Sequence, residues 1–200
     1  MKLDVLKKKL DGLKWVALDI ETTHLDPKEG ELLQFYGLGC DGESIDLKFK
    51  PKNIESASPY SLKVNKYEEF KEIYDKSKEF EEHTREIIDF LKGYDTVIGK
   101  NVHFDMGWLK YHLRYDKLPH RHFDLTTVAM DKLSGLIKTF GMEKVVSFVL
   151  NESVTHGAKS DVEQTLRCLN ILLDDSKLVK LYLFTNRMFW KHIKKVGWVK

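Results

Sequence analysis

Trp15-Val16-Ala17-Leu18-Asp19-Ile20-Glu21-Thr22-Thr23 is the stretch from which the fold is read. Its apolar opening has the pattern of a buried strand. Side chains alternate along a strand, so Asp19 and Glu21 project from one face and Ile20 from the other. Two carboxylates therefore stand together at the strand's end. Unpaired like charges about 4 Å apart repel by roughly 4 kcal/mol at an effective dielectric near 20, so a cation is their natural partner.

Working outward, Met1 to Leu13 alternates leucines with lysines as a short amphipathic helix with a solvated basic face. Glu31 to Gly39 reads as a second strand and Ser44 to Phe49 as a third, joined through Cys40-Asp41-Gly42-Glu43, whose Asp-Gly pair predicts a hairpin beside the first strand. Pro51 to Lys66 is irregular and reads as a surface loop. Tyr67 to Lys92 is charge-rich and predicts at least two helical pieces, with Phe80, Ile87, Ile88 and Leu91 as the apolar stripe. Thr96 to Gly99 followed by a helix from Asn101 predicts a parallel addition to the sheet. His120 to Leu125 is a short extended piece leading into a helix to Leu133, and residues 135–150 suggest two short helices parted near Gly141. Ala158 to Leu173 carries the strongest helical period, with Ser160 and Glu163 as a candidate capping box.

At 200 residues and 42% hydrophobic, the chain is long enough for one α/β domain with a proper core. A formal net charge of +2 does not by itself argue for nucleic acid. Its distribution says more: no acidic residue follows Asp175, whereas seven Lys or Arg residues do, interleaved with Phe184, Phe189, Trp190 and Trp198. Such a tail can stack bases and neutralise phosphates, but Leu181, Phe184 and Met188 are spaced to pack on the domain. The expected organisation is a domain over 1–176 and a basic, aromatic helix or tail over 177–200. Two cysteines exclude a disulfide scaffold, and with no secretory leader or membrane-length apolar run the expectation is a soluble cytoplasmic protein without a membrane partner. His112, His120 and His122 match no standard zinc spacing and read as a basic loop.

Three segments offer charged groups where elements begin or end: Asp19 with Glu21, Asp105, and His156 with Asp161. Five residues separate His156 from Asp161, about 140° on a continuous helix, so His156 reaches the same site only from the preceding loop. That suits a mobile base better than a rigid ligand. Four carboxylates around one point call for about two divalent cations, and oxygen donors favour Mg²⁺ or Mn²⁺ over zinc. Two such ions roughly 3.5–4 Å apart are a device for in-line displacement at a phosphodiester, with a neutral histidine to take the proton of water.

Asp19-Ile20-Glu21-Thr22-Thr23, Asn101-x-x-Phe104-Asp105 and His156-x-x-x-x-Asp161, in that order, resemble the three motifs of the DEDDh (DnaQ-like) 3′-to-5′ exonucleases. The resemblance runs from about Lys14 to Leu173 and implies a ribonuclease H-like fold, a mixed five-stranded sheet flanked by helices. By position it implies that Asp19, Glu21 and Asp161 bind a first metal, that Asp19 bridges to a second supported by Asp105, and that His156 is the general base. It implies terminal-nucleotide contacts from the backbone of Thr22 and Thr23, a wedge at Leu25 and a pocket lined by Asn101 and Phe104. Asp124 matches a structural aspartate. His24 stands where that family has glycine, placing a side chain beside the scissile end if the position has positive φ. The implied activity is release of nucleoside 5′-monophosphates from 3′ ends of single-stranded DNA, with RNA trimming as the alternative and a polymerase or other replication protein as a possible partner class. A module that binds nucleic acid with little turnover, and an endonuclease on the same fold, are the competing readings.

Overall fold

The computed structural model describes residues 2–181. Five strands form one sheet in the order β3-β2-β1-β4-β5: β1 (Trp15–Thr22), β2 (Leu32–Gly39), β3 (Ser44–Lys48), β4 (Thr96–Gly99) and β5 (Arg121–Asp124). β1, β2 and β3 pair antiparallel, whereas β4 and β5 add in parallel, so the sheet is mixed. Among the described residues it is flanked by α1 (Asp4–Lys9), α2 (Pro59–Val64), α3 (Tyr67–Lys76), α4 (Phe80–Leu91), α5 (Val102–Leu113), α6 (Leu125–Leu133), α7 (Met142–Leu150) and α8 (Ala158–Leu172).

β1 is apolar on both sides because both sheet faces are covered. Val16, Leu18 and Ile20 face the core shared with α4 and α5, while Trp15 and Ala17 face the core built on α6, α7 and α8. The same alternation sends Asp19 and Glu21 to the α8 side at the strand's end. Val162, Leu166, Leu169 and Leu172 anchor α8 against that face and are essentially inaccessible, each contributing roughly 1.5–3 kcal/mol of burial. Asn170 of α8 also holds the N-terminus of α1, its Oδ1 accepting from Val5 N at 3.1 Å and Leu6 N at 3.0 Å. Two free helix donors are thereby satisfied by a residue far away in sequence.

Three local expectations are corrected. Residues 59–64, read as loop, form α2, because Pro59 at the first helical position lacks only an N–H that the helix would not use. The segment 135–150 holds one helix, not two: Gly135 takes φ +84°, a left-handed conformation that ends helical continuity, and only α7 follows. Ser160 is not the cap of α8. Gly157 is the N-cap, and Ser160 Oγ donates back to its carbonyl at 2.7 Å.

No helix among the described residues is long and apolar enough to cross a membrane. Leu178 and Leu181 pack against the α8-side core. The tail residues Phe184, Met188, Phe189, Trp190 and Trp198, and the division at 176/177 in so far as it rests on them, lie outside the described residues.

Candidate active site

A cleft of about 370 Å³ opens where β1 ends, lined by residues of β1, α2, α5, α7 and α8. Asp19 and Glu21 come from the last turns of the β1 pleat and Asp161 from the first turn of α8. One carboxylate oxygen from each lies within 4.8 Å of the others, the spacing of a common ion. Asp105, in the first turn of α5, is buried in the same cleft but stands outside this triad. Its Oδ1 accepts from Ile20 N at 3.1 Å, tying α5 to β1 between the two strand carboxylates.

The electrostatics show what such crowding costs. Burial, then the charges of Asp105, Glu21 and Asp161, raise the Asp19 carboxyl far above its ordinary range, and Lys100 only partly offsets them. Glu21 is pushed up to about 8 by burial and by Asp161 and Asp105. Asp105 is pushed up to about 8, burial outweighing its backbone hydrogen bonds and Lys100. Burial also raises Asp161, against the lowering influence of His156. Four carboxyls that resist ionising together become stable as anions once a divalent cation sits among them. The donor set, all carboxylate oxygen, fits such an ion.

His156 lies in the loop before α8 with φ +52° and lines the cleft, its Nε2 3.8 Å from Glu143 Oε1. A non-glycine residue in that left-handed region costs roughly 1–2 kcal/mol, which the surrounding loop sustains. Asn101, the N-cap of α5, also has positive φ (59°), a conformation asparagine tolerates. Both Asn101 and Phe104 line the cleft. Asp124 accepts from Val102 N at 2.8 Å with one oxygen and from Thr126 N at 2.7 Å with the other, so it fastens the starts of α5 and α6 together.

The loop after β1 differs from expectation. His24 is not among the positive-φ residues, and its ring turns into its own loop, Nδ1 accepting from Asp26 N at 3.1 Å and Nε2 facing Glu29 at 3.4 Å. It does not line the carboxylate cleft. Gly30 permits this fold-back: a Cβ there would meet His24 Cβ at 2.6 Å and the Trp108 ring at 2.9 Å. Thr22 and Thr23 are buried, and Thr23 spends its N–H on the Glu31 carbonyl and its carbonyl on Ser58 N–H, both at 2.9 Å. The carbonyl of Thr22 accepts from Asn65 Nδ2 at 2.7 Å. These groups hold the loop together instead of facing outward. Leu25 is 69% exposed at its tip, free to meet a ligand.

Tyr60, Lys100 and Glu143 line the cleft without having been singled out in the sequence. Lys100 directly follows β4, a strand-end position that could have flagged it. Tyr60 was hidden by the reading of α2 as loop, and Glu143 carries no local signal.

A family model described as RNase_T exonuclease matches residues 16–169. Among solved structures, a product-bound exonuclease I is 19% identical with a TM-score of 0.64, over 88% of this chain and 46% of that one. E. coli exonuclease I in complex with a dA16 oligonucleotide is 20% identical, TM-score 0.64, over 88% and 44%. Exonuclease I from Methylocaldum szegediense is 18% identical, TM-score 0.63, over 86% and 42%. The chain spans less than half the length of these structures. No curated protein matches it by sequence. With the mixed five-stranded sheet and a carboxylate cluster at the end of β1, the match over residues 16–169 establishes that the chain belongs to the RNase_T exonuclease family, the DEDDh (DnaQ-like) 3′-to-5′ exonucleases of the ribonuclease H-like superfamily.

Proposed function

We propose that this domain removes nucleotides one at a time from the 3′ end of single-stranded nucleic acid, DNA in preference to RNA, releasing nucleoside 5′-monophosphates. The observation that carries the reading is the convergence of Asp19, Glu21 and Asp161 on one point, with Asp105 and His156 in the same cleft. The dA16 oligonucleotide in the E. coli relative supports the choice of DNA.

Asp19, Glu21 and Asp161 would hold one divalent cation, and Asp19 with Asp105 a second, with Mg²⁺ or Mn²⁺ suited to the oxygen donors. Bound there, such ions make water more acidic and neutralise charge on phosphate oxygens. His156, on the loop before α8 and lining the cleft, accepts the proton of the attacking water. The new O–P bond forms as the P–O3′ bond breaks and O3′ takes a proton from solvent water, giving a nucleoside 5′-monophosphate and a strand shortened by one residue with a free 3′-OH. Asn101 and Phe104, which line the cleft, would border the terminal nucleotide, and the exposed Leu25 would press on its base.

Single-stranded DNA and matched RNA labelled at the 3′ end are incubated with Mg²⁺ or Mn²⁺. Release of labelled mononucleotide, faster from DNA and lost in Asp19→Ala, is expected. Full activity in that variant removes the proposed site, and cleavage of circular single strands makes the protein an endonuclease instead.

A further inference from the structure

A second hollow of about 340 Å³ lies on the β2–β3 side of the His156 loop. Glu21 and His156 line both it and the carboxylate cleft, so the two spaces share a wall. The mechanism above makes no use of it, and its lining has a chemistry of its own. Phe70, on α3, presents an aromatic ring that is 37% exposed. Lys159, at the start of α8, has no ion-pair partner among the described residues, whereas Lys48 is matched by Asp46 at 3.2 Å. Gln34 and Asn65 spend their amide N–H groups on Asp46 and on the Thr22 carbonyl, both hydrogen bonds fixing the amides in place. Both amides belong to the wall of the hollow.

An aromatic face, a cation without an ion pair and fixed amides are what a nucleotide needs: a surface for the base to stack on, a counter-charge for phosphate, and polar partners for the base edge. The size falls in the range of small-molecule sites. We propose that this hollow is a second nucleotide-binding site, with the base on Phe70 and the phosphate at Lys159. The occupant is a nucleotide unit of the strand whose scissile phosphodiester lies in the carboxylate cleft, or the released monophosphate. The proposal rests on the exonuclease reading for its setting; Phe70 and Lys159 do not belong to the carboxylate cluster, although Glu21, Asp46 and Glu163 also line the hollow.

The test uses Phe70→Ala and Lys159→Ala with two substrates: a single-stranded DNA oligonucleotide, and the p-nitrophenyl ester of thymidine 5′-monophosphate, which brings one nucleotide only. For a site that holds the strand, the ratio of oligonucleotide to ester kcat/KM falls at least about fivefold in each variant, through KM, the lower end of what base stacking supplies. For a site that holds product, that ratio stays put and thymidine 5′-monophosphate inhibits ester hydrolysis at least about fivefold more weakly in Phe70→Ala. If neither quantity moves, the proposal is overturned. Should the wild-type protein hydrolyse neither substrate with Mg²⁺ or Mn²⁺, the exonuclease reading fails on its own, and direct binding of thymidine 5′-monophosphate by NMR decides the hollow: weaker binding in Phe70→Ala supports it, and unchanged binding overturns it.

Discussion

Replacing Asp105 by asparagine should stabilise the metal-free protein while abolishing its activity, and the gain should grow with pH. The Asp105 carboxyl is 3% exposed and its proton is held up to about 8, against 3.8 in an unperturbed aspartate. Between those values the unfolded chain gives up the proton and the folded chain keeps it. The folded state then binds more protons, so stability falls as pH rises, by about 1.4 kcal/mol per pH unit for one such group. Asparagine keeps an oxygen to accept from Ile20 N–H, a contact made at 3.1 Å, but has nothing to ionise. From pH 5 to pH 7 the variant's advantage should therefore widen by about 3 kcal/mol, or roughly 5–10 °C in Tm for a chain of this size. The assay is a thermal melt of both proteins in EDTA at pH 5 and pH 7, repeated with Mn²⁺. Mn²⁺ should raise the wild-type Tm more than the variant's, because the variant has lost one of the carboxylates that would meet the cation. A Tm difference that is the same at both pH values, or an asparagine variant less stable than wild type at pH 7, would refute the reasoning.

Three further outcomes follow from the same geometry. Mn²⁺ should bind more tightly as pH rises from 6 to 8, since Glu21 and Asp105, both held to about 8, must release protons to bind it; a pH-independent midpoint in calorimetric titration counts against the cluster as the site. Asp124→Ala removes acceptors for Val102 N–H and Thr126 N–H together, so urea melts should show a loss of about 2 kcal/mol, and less than about 0.5 kcal/mol would mean that water replaces it. His156→Asn keeps a residue that tolerates φ +52°, so Tm should stay within about 2 °C while turnover falls at least about a hundredfold; undiminished turnover would remove His156 as the base.

Local pattern carried most of the architecture. The buried run Trp15–Leu18, the Asp41-Gly42 turn and the strong period of α8 each report a contact made nearby in sequence or a face whose burial repeats along one element. Departures arose where a distant partner decides the conformation. Residues 59–64 look irregular in isolation, yet Ser58 N–H bonds the Thr23 carbonyl and Asn65 Nδ2 the Thr22 carbonyl, so α2 is clamped at both ends to the loop after β1. His24 could be recognised as unusual, but the direction of its ring depends on Asp26, Glu29 and the bare Cα of Gly30. For the candidate site, the carboxylates and His156 were visible as residues at element ends, whereas Lys100, Tyr60 and Glu143 join them only through the packing of α2, α5 and α7 around β1.

The site's instability and the fold's stability are carried by different atoms, and this separation makes the substitutions above interpretable. β1 is fixed by pairing to β2 on one side and β4 on the other and by apolar contact on both faces, through Val16 and Leu18 to one core and Trp15 and Ala17 to the other. α8 is fixed by Val162, Leu166 and Leu169, and α5 by Trp108 and Leu109. None of these contacts involves a carboxylate. Asp19, Glu21, Asp105 and Asp161 ride on the ends of these elements, and apart from the Asp105–Ile20 hydrogen bond they bring crowding to the end of β1 and not support. A rigid frame is also what keeps the four carboxyls crowded in the absence of a cation: relaxation that separated them would have to move α8 or α5 off a sheet face against several buried apolar side chains, each worth roughly 1.5–3 kcal/mol. Replacing one carboxylate by its amide should thus ease the crowding and leave the frame unchanged, whereas loosening α8 should let the carboxylates separate and weaken metal binding even with every ligand present.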